Sequence, residues 1–262
     1  MPPFLARRAL LSLLAVLGLS GPAAAQGDVP IVAAAADLHF AVTEIAAAFE
    51  AETGMAVRLA PGSTGNFARQ IRQGAPFEMF MAADEQFILD LHADGFSADA
   101  GALYAVGRIV LMVPHGSALT ADADLDALER MLAAEQITRF AIASPDHAPY
   151  GMRAREALVN RGLWDGLQPF LVLGENVSQA AQFALSGNAE GGIIAYSLAL
   201  APEVSARGSF ALIPEAWHTP LRQRMVLLNN AGPVAQAFYA YMMAPPARAT
   251  LERYGFTLPE GE

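Results

Sequence analysis

Hydrophobic and polar positions along this chain alternate between two kinds of pattern. From residue 29 onward, short apolar runs with the character of buried strands are followed by longer stretches whose apolar residues recur every three to four positions. "VPIVAAA" is an example of the first kind, and "LHFAVTEIAAAFEAETG" is an example of the second. Strands that alternate with amphipathic helices are typical of α/β proteins, so we predict an α/β fold.

The order of these elements predicts two lobes. Two long β-rich runs, "LYAVGRIVLMVP" and "TPLRQRMVLL", interrupt the alternation of strands and helices. We interpret these runs as the connections between lobes, which assigns residues 29–105 and 226–262 to lobe 1 and residues 106–225 to lobe 2. A cleft between two lobes is a favoured place for a small ligand, and hinge closure can enclose the ligand there.

The N-terminus has the pattern of a secretory signal peptide, which we assign to residues 1–25. Arg7 and Arg8 precede an apolar run that is shorter than the roughly 20 residues of a membrane-spanning helix. Ala23 and Ala25 then have the spacing of an A-x-A cleavage signal. We expect cleavage after Ala25 and export of the mature protein to the periplasm.

Composition excludes several classes of function. The chain has a net charge of -10, and all of its 16 basic residues are arginine. Nucleic acid is therefore not an expected partner, because phosphate backbones require basic surfaces. The sequence has no cysteine, which excludes disulfides, thiolate nucleophiles and zinc–thiolate sites. It also lacks the hydrolase, metalloprotease, P-loop and dinucleotide motifs, so we expect no enzymatic activity, no catalytic residue and no cofactor.

Four predicted helices begin directly after strands, which is the position of anion sites in α/β proteins. A helix N-terminus has free N–H groups and about half a positive charge, which together attract anions. Glycine beside hydroxyl residues in "PGSTGNFARQ" strengthens this interpretation, although each residue could equally be an ordinary helix cap. The four junctions are Asp37/Leu38, Ser63/Thr64, Tyr150/Gly151 and Asn176/Val177.

Several longer motifs resemble one protein family over nearly the whole mature chain. They include "GSTGNFARQIRQGAPFEMFMAADE", "IASPDHAPYGMRAREAL", "GENVSQAAQFALSG" and a terminal "RYGF". The chain resembles the periplasmic molybdate-binding proteins of ABC importers. The resemblance implies a two-lobed type II periplasmic binding protein fold with a ligand cleft between the lobes. It also implies a monomer that closes on tetrahedral molybdate or tungstate and delivers it to an inner-membrane ABC permease.

The resemblance also implies particular contacts to a small inorganic oxyanion. By motif position, these contacts would come from Ser63 and Thr64 in lobe 1 and from the backbone N–H groups of Tyr150 and Val177 in lobe 2. A further position is a tyrosine in some members of the family. That position is Ala195 here, so Tyr196, one place further on, is an additional ligand-binding candidate.

Asp37 departs from the family pattern, because a hydroxyl residue usually ends the first motif. An ionised carboxylate 4 Å from a dianion would be repelled by about 8 kcal/mol at an effective dielectric of 20. Asp37 could cap its own helix, or it could be protonated and donate a hydrogen bond to the ligand. Alternatively, the ligand could be a metal cation.

The cation alternative predicts a different set of ligands around the same cleft. Carboxylate, phenol and imidazole groups suit ferric iron or another metal. We rank this hypothesis below the oxyanion, because glycines, hydroxyls and helix ends are typical of anion sites. The alternative metal ligands are Asp37, His147, Tyr150, Glu175 and Tyr196.

Overall fold

The protein consists of two α/β lobes, each built on a five-stranded mixed sheet. A computed structural model describes residues 29–259. The predicted signal peptide of residues 1–25, with its cleavage site, lies outside the described residues. No helix within the described range combines the length and hydropathy that a bilayer span requires.

The first sheet belongs to lobe 1 and has the strand order β2-β1-β3-β10-β4. Its strands are β1 Ile31–Ala35, β2 Arg58–Gly62, β3 Met79–Ala82, β4 Ala102–Gly107 and β10 Leu221–Leu227. Strand β1 is parallel to β2 and β3, whereas β10 runs antiparallel to β3 and β4. The carboxyl ends of β1, β2 and β3 therefore lie at one edge, where ligands of α/β proteins bind.

The second sheet belongs to lobe 2 and has the strand order β7-β6-β8-β5-β9. Its strands are β5 Ile109–Pro114, β6 Phe140–Ala143, β7 Leu171–Gly174, β8 Gly191–Ala195 and β9 Gly208–Leu212. Strand β6 is parallel to β7 and β8, and β5 is antiparallel to β8 and β9. The two sheets thus repeat one arrangement, a parallel group with an antiparallel strand beside it.

The helices of lobe 1 cover both faces of its sheet. Helix α1 buries Val42, Ile45 and Phe49, and it ends at Gly54, whose φ of 72° is the left-handed conformation that glycine tolerates. The lobe 1 helices are α1 His39–Thr53, α2 Thr64–Arg72, α3 Gln86–Ala93, α10 Pro233–Met242 and α11 Pro245–Arg253. A short 3-10 helix, Ala36–Leu38, connects β1 to α1.

Lobe 2 contains the remaining helices, several of them short. They are α4 Asp126–Ala133, α5 Pro149–Asn160, α6 Trp164–Leu167, α7 Val177–Ala184, α8 Tyr196–Ala199 and α9 Pro202–Ser205. Two 3-10 helices, Gln168–Phe170 and Glu215–Trp217, complete the lobe. Helices α5 and α7 follow β6 and β7, so their N-termini face the carboxyl edge of the second sheet.

The connections between the lobes differ in detail from the sequence interpretation. The run "LYAVGRIVLMVP" forms two strands of different sheets, with β4 ending at Gly107 and β5 beginning at Ile109. Strand β10 begins at Leu221 and pairs only within the first sheet. By strand pairing, the divisions therefore fall near residue 108 and before Leu221, rather than at 105/106 and 225/226. A hydrophobic pattern identifies a strand but not the sheet that it joins.

Two stretches of lobe 2 fold differently from the sequence prediction. The apolar run "GGIIAYSLAL" is typical of a single strand, but β8 ends at Ala195 and helix α8 begins at the next residue. Strand β9 and helix α9 were not predicted. All four elements are only four or five residues long, which is too short for a hydrophobic period to distinguish helix from strand.

Candidate ligand-binding site

A small cavity lies where the two lobes meet. The volume within which the centre of a water-sized sphere can lie is about 10 Å³, so the cavity is small. A cavity of this size suits a single small ion rather than an extended organic solute. Its lining residues are Ala35, Ala36, Asp37, Gly62, Ser63, Thr64, Ala83, Ala148, Pro149, Tyr150, Asn176 and Val177.

Three helix N-termini point to this cavity from two lobes. Thr64 begins α2 of lobe 1, whereas Tyr150 and Val177 lie in the first turns of α5 and α7 of lobe 2, and all three line the cavity. First-turn N–H groups have no acceptor within their own helix and carry the positive end of its dipole. None of the described residues that line the cavity is Arg or Lys. The positive potential there therefore comes from the main chain.

Local sequence signals set the starts of the two lobe 2 helices. Ala148 has an extended backbone, as expected before a proline, and Pro149 occupies the first turn of α5, where its missing N–H costs nothing. The Asn176 side chain accepts from the N–H of Gln179 at 3.0 Å, and the Gln179 side chain accepts from the N–H of Glu175 at 2.7 Å. This capping arrangement, expected from the Asn176–Gln179 spacing, leaves the Val177 N–H directed out of the helix.

Ser63 lines the cavity, but its hydroxyl faces the opposite lobe. Its Oγ donates to the carbonyl oxygen of His147 at 2.7 Å and also lies 2.8 Å from His147 Nδ1. The N–H of Gly65 donates to the same carbonyl at 2.9 Å. In this arrangement the Ser63 hydroxyl makes a contact between the lobes, and its contact with an oxyanion stays a prediction.

Thr64 has the geometry of a hydroxyl donor to the cavity. The residue is 1% exposed, and its Oγ1 accepts a hydrogen bond from the N–H of Ala83 at 3.1 Å. This bond occupies a lone pair and leaves the hydroxyl hydrogen for another acceptor. Both Thr64 and Ala83 line the cavity, so an anion there can receive that hydrogen.

Asp37 is buried in the wall of the cavity, where it is 1% exposed. Its Oδ2 accepts from the Tyr150 hydroxyl at 3.0 Å and from Gln223 Nε2 at 2.6 Å. Its Oδ1 is buried and has no hydrogen-bond partner among the described residues. No side-chain cap is found at the start of the adjoining helices, so the capping role considered for Asp37 is wrong.

Burial raises the pKa of Asp37 from 3.8 to about 6, although its bonds to Gln223 and Tyr150 act in the opposite direction. Burial, and secondarily the charge of Asp37, also raises the pKa of Tyr104 and of Tyr150 well above 10. Both phenols therefore remain neutral and can donate hydrogen bonds. Asp37 is the one acid of this cluster that titrates near physiological pH.

Sequence reasoning missed three residues that surround Asp37. Gln223 Oε1 accepts from the Tyr104 hydroxyl at 2.8 Å, and the Ser197 hydroxyl donates to the Asp37 carbonyl at 2.8 Å. Gln223 is fully buried between inward-facing Leu221 and Met225 of β10. The sequence contained one indication of this network, because Gln223 is a polar residue at a position where the alternation of the strand predicts an apolar one.

Tyr196, predicted to be a ligand-binding residue, is not among the described residues that line the cavity. Its ring packs edge-on against Phe210 with the ring centroids 5.7 Å apart, and it also lies against Gly255. Tyr196 is absent from the cavity lining, and so is Ala195, which pairs with Ile109 in the second sheet. A displacement of one residue at a strand end turns the side chain to a different side.

The alternative metal site is not assembled. The Glu175 carboxylate accepts from the amide of Asn66, and His147 contacts Ser63. Neither Glu175 nor His147 is among the residues that line the cavity. Among residues 29–259, no group of three or more His, Asp or Glu side chains is placed to hold a metal ion. The structure therefore does not bring together the alternative set of Asp37, His147, Tyr150, Glu175 and Tyr196.

Further contacts hold the lobes together around the cavity. Arg153 of α5 pairs with Asp84, which follows β3, and both side chains are largely buried. The Ser178 hydroxyl donates to the carbonyl of Ala36 at 2.8 Å. Together with the contacts of Ser63 and Tyr150, these bonds describe a closed arrangement in which the ligand cavity is formed by both lobes.

Comparison with known proteins places this geometry in a family context. Residues 31–257 match the family model described as bacterial extracellular solute-binding protein. The chain is 36% identical over 254 residues to the molybdate-binding protein ModA of Rhodobacter capsulatus, covering 95% of this chain and 96% of that protein. It is 35% identical over 238 residues to ModA of Azotobacter vinelandii, covering 90% and 92% of the two chains.

A solved structure shares the same architecture. The periplasmic molybdate-binding protein of Azotobacter vinelandii matches with a TM-score of 0.79 at 29% sequence identity, covering 89% of this chain and 100% of that chain. The predicted two-lobed fold of a periplasmic binding protein is therefore confirmed.

Proposed function

This chain belongs to the bacterial extracellular solute-binding protein family, and from that membership we propose that it captures molybdate or tungstate for an ABC importer. A protein of this family binds and releases its solute and is not an enzyme. Relatives that are named molybdate-binding proteins match almost the full length of the chain, which supports this choice of ligand.

The convergence of three helix N-termini on one closed cavity carries the proposal. The N–H groups at the starts of α2, α5 and α7 approach from both lobes, so a single anion would join lobe 1 to lobe 2. Thr64 adds a hydroxyl donor. A set of neutral donors with a positive potential suits an oxyanion, and Asp37 is the one carboxylate among the described residues that line the cavity.

Ligand capture follows from closure of the two lobes. An open form exposes the cavity, and an anion that contacts both lobes shifts the population toward the closed form, because it binds that form more tightly. Donors at fixed positions also discriminate by size. Sulfate and phosphate are smaller than molybdate and would leave some donors imperfectly paired, which lowers their affinity.

The remaining parts of the proposal concern location and partners. We assign the mature protein to the periplasm, after cleavage of the signal peptide at Ala25, where it acts as a monomer. The closed form then delivers the oxyanion to an inner-membrane permease. The name of the Azotobacter vinelandii structure supports the periplasm, and the N-terminal sequence supports the cleavage position.

Calorimetry with a panel of anions tests the proposed ligand. The mature protein from residue 26 is titrated at pH 6 with molybdate, tungstate, sulfate and phosphate, and thermal unfolding is followed in parallel. We expect molybdate and tungstate to bind and to raise the melting temperature, because a ligand that binds only the folded state stabilises it. Sulfate and phosphate should bind more weakly.

Two results would contradict this function. Tighter binding of sulfate or phosphate than of molybdate would assign a different anion to the cavity. Stabilisation by ferric iron, without any effect of the oxyanions, would return the metal hypothesis to first place. Ferric iron is therefore included in the thermal panel as a comparison.

A further inference from the structure

The Asp37 side chain contains an oxygen, Oδ1, that is not explained by a site made only of hydrogen-bond donors. Asp37 is one of the residues that line the cavity, it is almost fully buried, and its Oδ1 has no hydrogen-bond partner among the described residues. A buried, unpaired polar atom is rare in folded proteins and usually indicates a missing partner. The inference below concerns this atom and rests on the proposed function, because its partner is taken to be the bound oxyanion.

The surrounding hydrogen bonds determine which oxygen can carry a proton. Oδ2 accepts from Tyr150 and from Gln223, so it has little capacity to donate. The amide of Gln223 cannot easily turn over, because its Oε1 accepts from the Tyr104 hydroxyl. Oδ2 is thus held as an acceptor, and Oδ1 is the atom that can exchange a proton with a ligand.

Glycine at position 107 makes this network possible. A Cβ at Gly107 would lie 2.3 Å from the Tyr150 hydroxyl oxygen and 2.7 Å from Gln223 Nε2, which is closer than real Cβ contacts. The two donors to Asp37 therefore occupy space that any other residue would fill. Their positions depend on the backbone of β4 as well as on their own elements.

The groups that face Asp37 are all neutral. Tyr150 comes from α5, Tyr104 from β4, Gln223 from β10 and Ser197 from α8. The two phenols ionise only well above pH 10, and no Arg, Lys or His is among the described residues that line the cavity. No cation offsets the repulsion between an ionised Asp37 and a dianion.

We propose that the bound complex holds one proton between Asp37 Oδ1 and an oxygen of the oxyanion, so that binding a dianion takes up one proton from solvent. The proton can be assigned to either oxygen, because both descriptions have the same composition and charge. Protonated Asp37 then supplies a hydrogen-bond donor, as does the rest of the site. Asp37, which stands where the family pattern usually has a hydroxyl residue, therefore links ligand capture to proton uptake.

Proton linkage predicts how affinity depends on pH. Burial raises the pKa of Asp37 to about 6 in the free protein, and a bound dianion would raise it further by its charge. Between these two pKa values the free protein is ionised and the complex is protonated. The dissociation constant for molybdate should therefore rise by up to about tenfold for each pH unit between the pKa of about 6 in the free protein and the higher pKa of the complex, and it should level off above the latter.

Calorimetry in buffers of different ionisation enthalpy measures the proton directly. Molybdate is titrated into the mature protein at pH 7.5 in two such buffers, and the titration is repeated from pH 5.5 to pH 8.5. We expect close to one proton to be taken up per molybdate bound. Asp37→Asn should take up none and should bind with an affinity independent of pH, because its amide keeps one acceptor and supplies a permanent N–H donor.

Asp146→Asn is the matched control, since it removes an exposed carboxylate from the loop that contains His147. It should leave the proton uptake unchanged. Tight molybdate binding by the wild type without proton uptake would overturn this inference and leave the proposed function intact, as would equal uptake by Asp37→Asn. Failure of both proteins to bind molybdate at pH 5.5 would instead overturn the proposed function.

Discussion

At the scale of single residues, the hydrogen bonds that a hydroxyl makes within the protein decide whether its hydrogen is available to a ligand. Ser63 and Thr64 are adjacent hydroxyl residues that both line the cavity. The Ser63 hydroxyl donates to His147 across the lobes, whereas the Thr64 hydroxyl accepts from Ala83 and keeps its hydrogen. Two residues of equivalent chemistry therefore make different contacts, one across the lobes and the other within lobe 1.

Replacement of Thr64 by alanine tests this assignment. Thr64→Ala should weaken molybdate binding by roughly 1 to 3 kcal/mol, because a charge-assisted hydrogen bond to the anion is lost. Thr64→Ser keeps the hydroxyl and should stay within about 1 kcal/mol of the wild type. Calorimetric titration of the three proteins measures the difference. Equal affinities for the alanine and serine variants would remove the Thr64 hydroxyl from the site.

At the scale of elements, the starts of the helices carry most of the recognisable function. Pro149 at the start of α5 and the Asn176 cap of α7 are local signals, and both helices begin where the sequence predicts within one residue. Tyr196, a candidate taken from the family pattern and not from a cap signal, lies where a short strand passes directly into a short helix. Long elements with caps were therefore predictable, and short ones without caps were not.

The cap of α7 provides the prediction at this scale. Asn176→Ala removes the acceptor for the N–H of Gln179 and should lower the free energy of unfolding by about 0.5 to 2 kcal/mol. Molybdate affinity should fall as well, because the N–H of Val177 lies at the start of the same turn. Asn176→Ser retains a capping oxygen and should be closer to the wild type.

Urea unfolding measures the stability of these variants, and calorimetry measures their affinity. If Asn176→Ala lost stability but bound molybdate as tightly as the wild type, the start of α7 would be a structural cap without a role in binding. Equal stability of the alanine and wild-type proteins would contradict the capping role itself.

At the scale of the whole molecule, the two lobes meet so closely at one glycine that closure depends on it. Gly65 lies in the first turn of α2, and its N–H donates to the His147 carbonyl of lobe 2. A Cβ at this position would lie 2.6 Å from that carbonyl oxygen. Glycine is needed here for close approach between lobes and not for a special backbone conformation.

Gly65→Ala should therefore impair closure without unfolding either lobe. Overpacking of this kind costs about 1 to 3 kcal/mol, which corresponds to a roughly 5- to 150-fold loss of molybdate affinity. Alanine is also a better helix former than glycine, so α2 itself should not be weakened. Calorimetry measures the affinity, and small-angle scattering with and without molybdate measures compaction.

Gln70→Ala, on the exposed face of the same helix, is the control and should bind molybdate as the wild type does. If Gly65→Ala bound molybdate as tightly as the wild type, His147 would have to move aside without loss of binding free energy. Our interpretation of the Gly65–His147 contact as a limit on closure would then be wrong.

The sequence by itself determined the order of the long elements and the junctions that surround the ligand. Residues of all four predicted junctions line the cavity, because helix starts depend on capping, proline and glycine signals within one turn of the chain. The position of Asp37 among these donors was also evident before its surroundings were known.

Only the tertiary structure decided what those residues do. The donors to Asp37 are Tyr150 and Gln223, which are 113 and 186 positions away in the chain, and the partner of Ser63 is 84 positions away. Likewise, the division of one β-rich run between two sheets depends on strand pairing over long separations. Local sequence patterns do not specify such partners, because the folding of each lobe and the closure of the two lobes bring them together.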